Sequence, residues 1–191
     1  LLVLDAEALT RRVNWADRST CVLFGDAATA CIVAGSPGNV VAGLEDVICQ
    51  SDGTQRDLIV VGGGTSSRYA KGDPVDDDFF ITMQGRETYK HAVRNMVHIC
   101  EDVLTRNGLT AKDVNLLVPH QANMRIIEST AKRMQLPMEK VVLTVADHGN
   151  TSAASIPLAL DEAVRAGRVT DGDLLLFAAF GGGLTWGASL V

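Results

Sequence analysis

Short apolar runs and longer helical patterns follow one another along this chain. "LLVLDAEAL" (1–9) reads as a strand followed by a polar turn. "STCVLFGDAATACIVAG" (19–35) reads as two strand-like runs around a tight Gly25-Asp26 turn. "RDLIVVGGGTSSRYAKGDPVDDDFF" (56–80) reads as one strand and then a long polar loop. Over 82–108 the residues Val93, Met96, Val97, Cys100 and Leu104 recur at three- and four-residue spacing, which predicts a long helix stopped by Gly108. A strand at 114–118 then leads to a helix at 122–134. A strand at 140–145 leads to a helix at 152–166, closed by Gly167. A strand at 173–180 leads through Gly181, Gly182 and Gly183 to a last strand, "LTWGASLV". Apolar strands alternating with helices predict α/β layers around a buried sheet.

This order gives meaning to "LLVPHQANMRIIE" (116–128). His120 follows the carboxyl end of one strand, and Asn150, in "DHGNTSAAS", follows the carboxyl end of the next. If the two strands are parallel neighbours, right-handed crossovers bring both loops to one edge of the sheet. That edge is where α/β sheets bind ligands. Pro119 cannot donate to a ladder, so it ends its strand and helps to aim His120.

Each feature alone has a plainer reading. A histidine at a strand end is commonly structural. Asn150 suits a left-handed turn or a helix N-cap, with Thr151 and Ser152 sharing the cap. The glycines 181–183 suit a hairpin turn. "VVGGGTSS" (60–67) lacks both GxxxxGK[ST] and GxGxxG and is rejected as a phosphate loop. Three features, each at the carboxyl end of a buried strand, favour a site over three coincidences.

Composition narrows the class. The chain has 191 residues, 47% of them apolar, which is ample for one core. Its net charge of −6 argues against a nucleic-acid or anionic-membrane partner attracted by bulk charge. No apolar run is long enough to span a bilayer, and the N-terminus has no basic segment of the signal-peptide kind. The four cysteines, Cys21, Cys31, Cys49 and Cys100, form no CxxC pair and no metal spacing. They read as reduced thiols of a cytosolic protein, and a cytoplasmic location is expected. The chain opens at Leu1 inside a strand, so it is expected to be the C-terminal piece of a longer protein.

"PHQANMRIIE", "HGNTSAASIPLALDEAVRAG", "FGGGLTWGASLV", "DRSTCVLFGD" and "MQGRETYKHAV" together resemble β-ketoacyl-acyl carrier protein synthase III. That family comprises the initiating condensing enzymes of bacterial and plastid fatty-acid synthesis, within the thiolase superfamily. The resemblance runs in order over essentially the whole chain. It implies a thiolase-like layered α/β fold, with 1–36 ending the N-terminal half and 37–191 forming the C-terminal half. It implies a decarboxylative condensation of an acyl-CoA primer with malonyl-acyl carrier protein, and a Cys-His-Asn site to which this chain brings His120 and Asn150. The family's nucleophilic cysteine sits in an ACxGF-like segment. None of the four cysteines here has that context, so it is expected upstream, and this chain alone is expected to be inactive.

Other roles follow from the resemblance. The backbone N–H of Gly182 matches an oxyanion donor. Arg18 matches an arginine near the coenzyme A nucleotide. Phe24 and Phe180 match residues of the acyl pocket, Gly85 and Tyr89 match the arm tunnel, and Asn123 matches an amide that contacts the arm. Gln121, Ala122, Asn123, Met124 and Arg125 match the stretch proposed to meet the carrier protein, with Lys90, Lys132 and Arg133 adding a basic patch. For Lys132 and Arg133 a solvated helix face explains the charges as well.

No cofactor or metal is implied beyond the coenzyme A and phosphopantetheine thioesters. A homodimer is implied, and so is a plastid location if the source is a plant. The family usually has glycines where this chain has Ala27 and Thr29, and phenylalanine where it has Tyr89. Two alternatives remain from the sequence. One is a thiolase-fold acyltransferase to an alcohol or amine acceptor. The other is a non-catalytic thiolase-fold subunit.

Overall fold

The computed structural model describes residues 1–35, 43–62 and 72–191. A four-stranded sheet forms its centre. β1 (Leu2–Ala8) and β2 (Asp26–Ile32) pair with each other outside it, antiparallel from Leu2↔Ile32 to Ala8↔Asp26. The central sheet contains β3 (Asp46–Ser51), β6 (Leu116–Pro119), β7 (Leu175–Gly181) and β8 (Thr185–Leu190), in the order β3-β8-β7-β6. β6 and β7 are parallel and the other neighbours antiparallel. β4 (Ile59–Val61) and β5 (Ile81–Met83) make a small antiparallel pair. The helices are α1 (Gly85–Arg106), α2 (Met124–Arg133), the single turn α3 (Val145–His148) and α4 (Ser155–Arg165).

Strand alternation divides the core in two. Leu117, Leu176, Ala178, Ala188 and Leu190 join one cluster with Met96, Ile99, Cys100 and Val103 of α1 and Ile127 and Ala131 of α2. Leu116, Val118 and Leu175, from the alternate positions, join Ala159 and Ala163 of α4 in the second. β6 is therefore buried at all four positions, which is why it reads as an unbroken apolar run. The expected spacing in α1 holds, with Val93, Met96, Cys100 and Leu104 buried. Its stop holds as well: Leu109 N–H reaches back to the Leu104 carbonyl across Gly108.

Three expectations need correction. The stretch 19–35 contains one strand, not two around a Gly25-Asp26 turn. Asp17 accepts hydrogen bonds from Ser19 N–H and from the hydroxyls of Ser19 and Thr20, and this local bonding holds the chain in a turn. β2 then pairs with β1 instead. The stretch 140–145 is not a strand. Its pairing stops at a single bridge, Leu117↔Val141, and Leu143 is exposed. The N–H groups of Thr144 and Val145 are taken by a side chain, that of Gln121, and the chain turns into α3. Lastly, the helix expected from 82 begins at Gly85, because 81–83 pair with β4. Most of the rejected phosphate-loop motif, and the boundary expected between 36 and 37, lie outside the described residues.

Candidate active site

His120 emerges one residue beyond β6, where its N–H donates to the Ala178 carbonyl at 2.7 Å. That bond continues the β6–β7 ladder past Pro119 and fixes the direction in which the imidazole leaves the sheet. The ring's Nδ1 lies 2.7 Å from the Ser155 hydroxyl at the start of α4. Gln121, next in sequence, is buried and satisfied at both ends of its side chain. Its Nε2 donates to the carbonyls of Pro119 and Val142, and its Oε1 accepts from Thr144 and Val145 N–H. It ties the His120 loop to the segment that leads towards Asn150.

Asn150 is held from both sides of its backbone. Its N–H donates to the Leu23 carbonyl at 2.8 Å, and its carbonyl accepts from Gly25 N–H at 2.9 Å. These bonds form a one-residue parallel bridge to Phe24. The approach is close enough that a Cβ on Gly25 would fall on the His148 carbonyl oxygen. Gly149 has φ of 68°, a left-handed conformation that only glycine adopts without strain, and it also faces the Leu23 carbonyl. The Asn150 Oδ1 accepts from Ser152 N–H at 2.9 Å. That bond orients the amide and leaves both Nδ2 hydrogens for other acceptors.

Both side chains line one cavity of about 270 Å³. Phe24, Gly85, Tyr89, Ala122, Asn123, Phe180 and Gly182 line it too, so seven of the expected site positions come together with His120 and Asn150. A second, more open cavity of about 660 Å³ shares His120, Ser152, Phe180 and Gly181 with the first, so the imidazole stands where the two meet. The glycine turn is also the β7–β8 hairpin, with Gly181 opposite Thr185.

Arg18 is exposed on the 17–23 turn and lines neither cavity. Asn123 Oδ1 caps α2, accepting from Ile126 N–H, and its Nδ2 remains for a ligand. Tyr89 meets Ser129 at 2.7 Å between their hydroxyls, joining α1 to α2. Gln121 does not fit the carrier-protein surface expected of it, because its side chain is 1% exposed. Met124 is half-buried and Arg125 is exposed. Ser155 was not expected from the sequence. It lies 35 positions from His120, and a serine at a helix start reads as ordinary capping chemistry.

Burial pushes the His120 pKa down from 6.5 to about 4, and a backbone hydrogen bond with Ser152 acts the other way. The ring is therefore neutral at pH 7 and donates one N–H without carrying charge. The unfolded chain takes up this proton near 6.5 and the folded site near 4. Between those values the unfolded state holds more protons, so stability is lost as pH falls through this window. The loss is at most about 3 kcal/mol, and less to the extent that the ring meets water. Denaturant titrations should show a steeper acid loss for wild type than for His120→Gln, which does not titrate. Equal losses would assign the effect to another group.

The thiols differ in setting. Cys100 is fully buried, and burial pushes its pKa to about 12, which makes it a poor nucleophile. Cys49 is exposed and lines the larger cavity with His120. It lies within β3, without the helix N-terminus that activates a thiol. Among the described residues no cluster of histidine, cysteine or carboxylate side chains is arranged to hold a metal. No helix there is long and apolar enough to cross a membrane.

Comparison with known proteins bears on the family and the fold. Residues 104–191 match the family described as 3-Oxoacyl-[acyl-carrier-protein (ACP)] synthase III C terminal, and residues 1–53 match 3-Oxoacyl-[acyl-carrier-protein (ACP)] synthase III. The beta-ketoacyl-[acyl-carrier-protein] synthase III of Nitratidesulfovibrio vulgaris (strain DSM 19637 / Miyazaki F) is 54% identical over all of this chain and 57% of its own length. The crystal structure of 3-oxoacyl-[acyl-carrier-protein] synthase III from Aquifex aeolicus VF5 is 43% identical, with a TM-score of 0.87 over 99% of this chain and 56% of that one. The structure of beta-ketoacyl-[acyl carrier protein] synthase III from Thermus thermophilus is 41% identical, with a TM-score of 0.88 over 100% of this chain and 58% of that one. The chain thus spans a little over half the length of the relatives it matches. With family matches at both ends, sequence likeness along its whole length and a common fold, this chain belongs to the 3-oxoacyl-[acyl-carrier-protein] synthase III family, whose fold is thiolase-like.

Proposed function

We propose that the chain supplies the His/Asn part of a Cys-His-Asn condensing site. The reaction joins an acyl-CoA primer to a malonyl group carried on acyl carrier protein. The observation that carries this reading is that His120 and Asn150, two side chains able to donate an N–H without carrying charge, line one cavity. When a malonyl thioester loses CO₂, the electrons of the broken C–C bond move into the thioester and charge its oxygen. Two uncharged donors placed for that oxygen stabilise it more than they stabilise the substrate. The enolate carbon then attacks a primer held as a thioester on the cysteine, and the thiolate leaves. In this reading the cysteine belongs to the N-terminal half of the fold, of which 1–36 are the last strands, and Gly182 N–H serves the oxyanion of that second step. Coenzyme A and carrier-arm thioesters are the substrates and no further cofactor takes part. The working unit is a homodimer in the cytoplasm.

The carrier protein docks, in this proposal, beside the first turn of α2. Arg125 is exposed there and has no ion-pair partner among the described residues. A cation in the first turn opposes the helix dipole, so its presence does not serve helix stability. Lys132 and Arg133 lie in the last turn, where the dipole favours cations, and Lys90 is paired with Glu87 at 2.8 Å. Arg125 is therefore the cation best placed to meet an acidic partner or the arm phosphate.

The test uses full-length protein with acyl-CoA and malonyl-carrier protein. It should release CO₂ and form the 3-oxoacyl product, and absence of both would end this reading. Arg125→Glu should raise KM for malonyl-carrier protein strongly, with a defect that shrinks as salt is added. A short malonyl-pantetheine thioester, lacking carrier and phosphate, should be decarboxylated at nearly the wild-type rate. Equal losses on both substrates would mean that Arg125 supports the fold rather than docking.

A further inference from the structure

The structure assigns to Ser155 a positioning role: its hydroxyl donates its proton to His120 Nδ1 and so holds the ring as the tautomer with its proton on Nε2, facing the cavity. This rests on the reading of His120 as a donor to the enolate, and it specifies which atom donates. Ser155 is 1% exposed and lines neither cavity, so it acts through His120 and not on a substrate. Its oxygen lies 2.7 Å from His120 Nδ1 and accepts from Gln121 N–H at 3.3 Å.

Those two neighbours decide the direction of the bond. A backbone N–H can only donate, so it occupies a lone pair of the serine oxygen. The hydroxyl has one proton of its own, and Nδ1 is its only other side-chain or backbone partner among the described residues. If Nδ1 carried the ring proton, it too would point at the serine oxygen, and the buried hydroxyl proton would be left without an acceptor. Buried polar groups avoid that state. With the serine proton on Nδ1, the ring proton must sit on Nε2. The tautomer of a histidine is set in this way by what its other nitrogen bonds.

Gln121 supports the arrangement from the backbone. Its side chain is clamped to four backbone groups, which fixes the peptide whose N–H orients the serine. The competing arrangement places the ring proton on Nδ1. It leaves Nε2 bare and unable to donate to an enolate.

The test is made on full-length protein with ¹⁵N-labelled histidine at neutral pH. Long-range ¹H–¹⁵N spectra report which ring nitrogen carries the proton, and His120→Gln identifies the His120 signals. Wild type should show the proton on Nε2, and Ser155→Ala should show a mixture of tautomers. Malonyl decarboxylation by Ser155→Ala should fall roughly ten- to a hundredfold, the loss seen when partners that orient metal-bound histidines are removed and taken here as the scale for orienting an imidazole. KM for the malonyl thioester should change little. Ser155→Thr, which keeps the hydroxyl, should restore both tautomer and rate.

A proton on Nδ1 in wild type would overturn the assignment. So would a Ser155→Ala protein that loses rate with its tautomer unchanged, because that is a structural effect only. If Ser155→Ala does not fold, the wild-type and Ser155→Thr spectra still decide. Absence of decarboxylation in wild type would sink the proposed function, while the tautomer would still be read directly.

Discussion

His120→Ala or Asn150→Ala lowers malonyl decarboxylation by roughly two to three orders of magnitude, the usual cost of removing one oxyanion donor. The size follows from where the donors sit. Each amide or imidazole is oriented by a bond at its far atom, Nδ1 to Ser155 and Oδ1 to Ser152, so the near atom is presented without reorganisation. Because both act on one developing charge, the double variant should lose much less than the product of the single losses. Asn150→Asp is a sharper probe than alanine. It keeps the size and the oxygen that accepts from Ser152 N–H, and exchanges the donor for a second oxygen. Its charge would repel the enolate, so it should be at least as inactive as Asn150→Ala. Acylation of the cysteine by acyl-CoA, which forms no malonyl enolate, should suffer less from Asn150→Ala. CO₂ release from a malonyl-pantetheine thioester measures the first step and mass spectrometry the second. Survival of decarboxylation in either alanine variant would remove that residue from the donor pair.

Gly25→Ala, at a residue outside the candidate catalytic pair, should be nearly as damaging. An alanine Cβ there meets the His148 carbonyl oxygen, a backbone atom that cannot rotate away. Relief requires the segment 23–25 to separate from 148–150. That separation breaks the Asn150 N–H to Leu23 and Gly25 N–H to Asn150 bonds and moves Asn150 out of the cavity wall. Decarboxylation should fall to about the level of Asn150→Ala, and overpacking should lower stability by about 1–3 kcal/mol. Gly53→Ala is the control, since nothing lies within 4 Å of its added Cβ and its φ is not in the left-handed region. Denaturant unfolding and CO₂ release on both variants give the answer. Wild-type activity in Gly25→Ala would show that the bridge to Phe24 does not place Asn150.

The sequence was most informative where the determining interactions are local or repeat with a simple period. The α1 stripe was legible because residues three and four apart share a helix face, and the same stripe packs on the sheet. β6 was legible because burial on both faces leaves no polar position. It was least informative where one distant group replaces another as hydrogen-bond partner. The run 140–145 has the composition of a strand. Gln121 Oε1 takes the N–H groups that would have continued the ladder, and no pattern within 140–145 announces a side chain some twenty residues away. The missing strand at 19–24 has the opposite cause, a local one: Asp17 bonds the residues that follow it, and the apolar run masked that signal.

The same division holds at the site. The sequence by itself determined the family, the identity of His120 and Asn150 as candidates, and the glycine turn, because motif spacing and residue chemistry are written along the chain. Only the tertiary structure decided that Gln121 faces inward, that Arg18 stands apart from both cavities, and that Ser155 meets His120. The physical reason is that orientation is a property of pairs. A serine at a helix start and a histidine after a strand have many possible partners in sequence. They meet each other only when β6, β7 and α4 pack, and the 2.7 Å contact between them then orients the ring for any chemistry it performs.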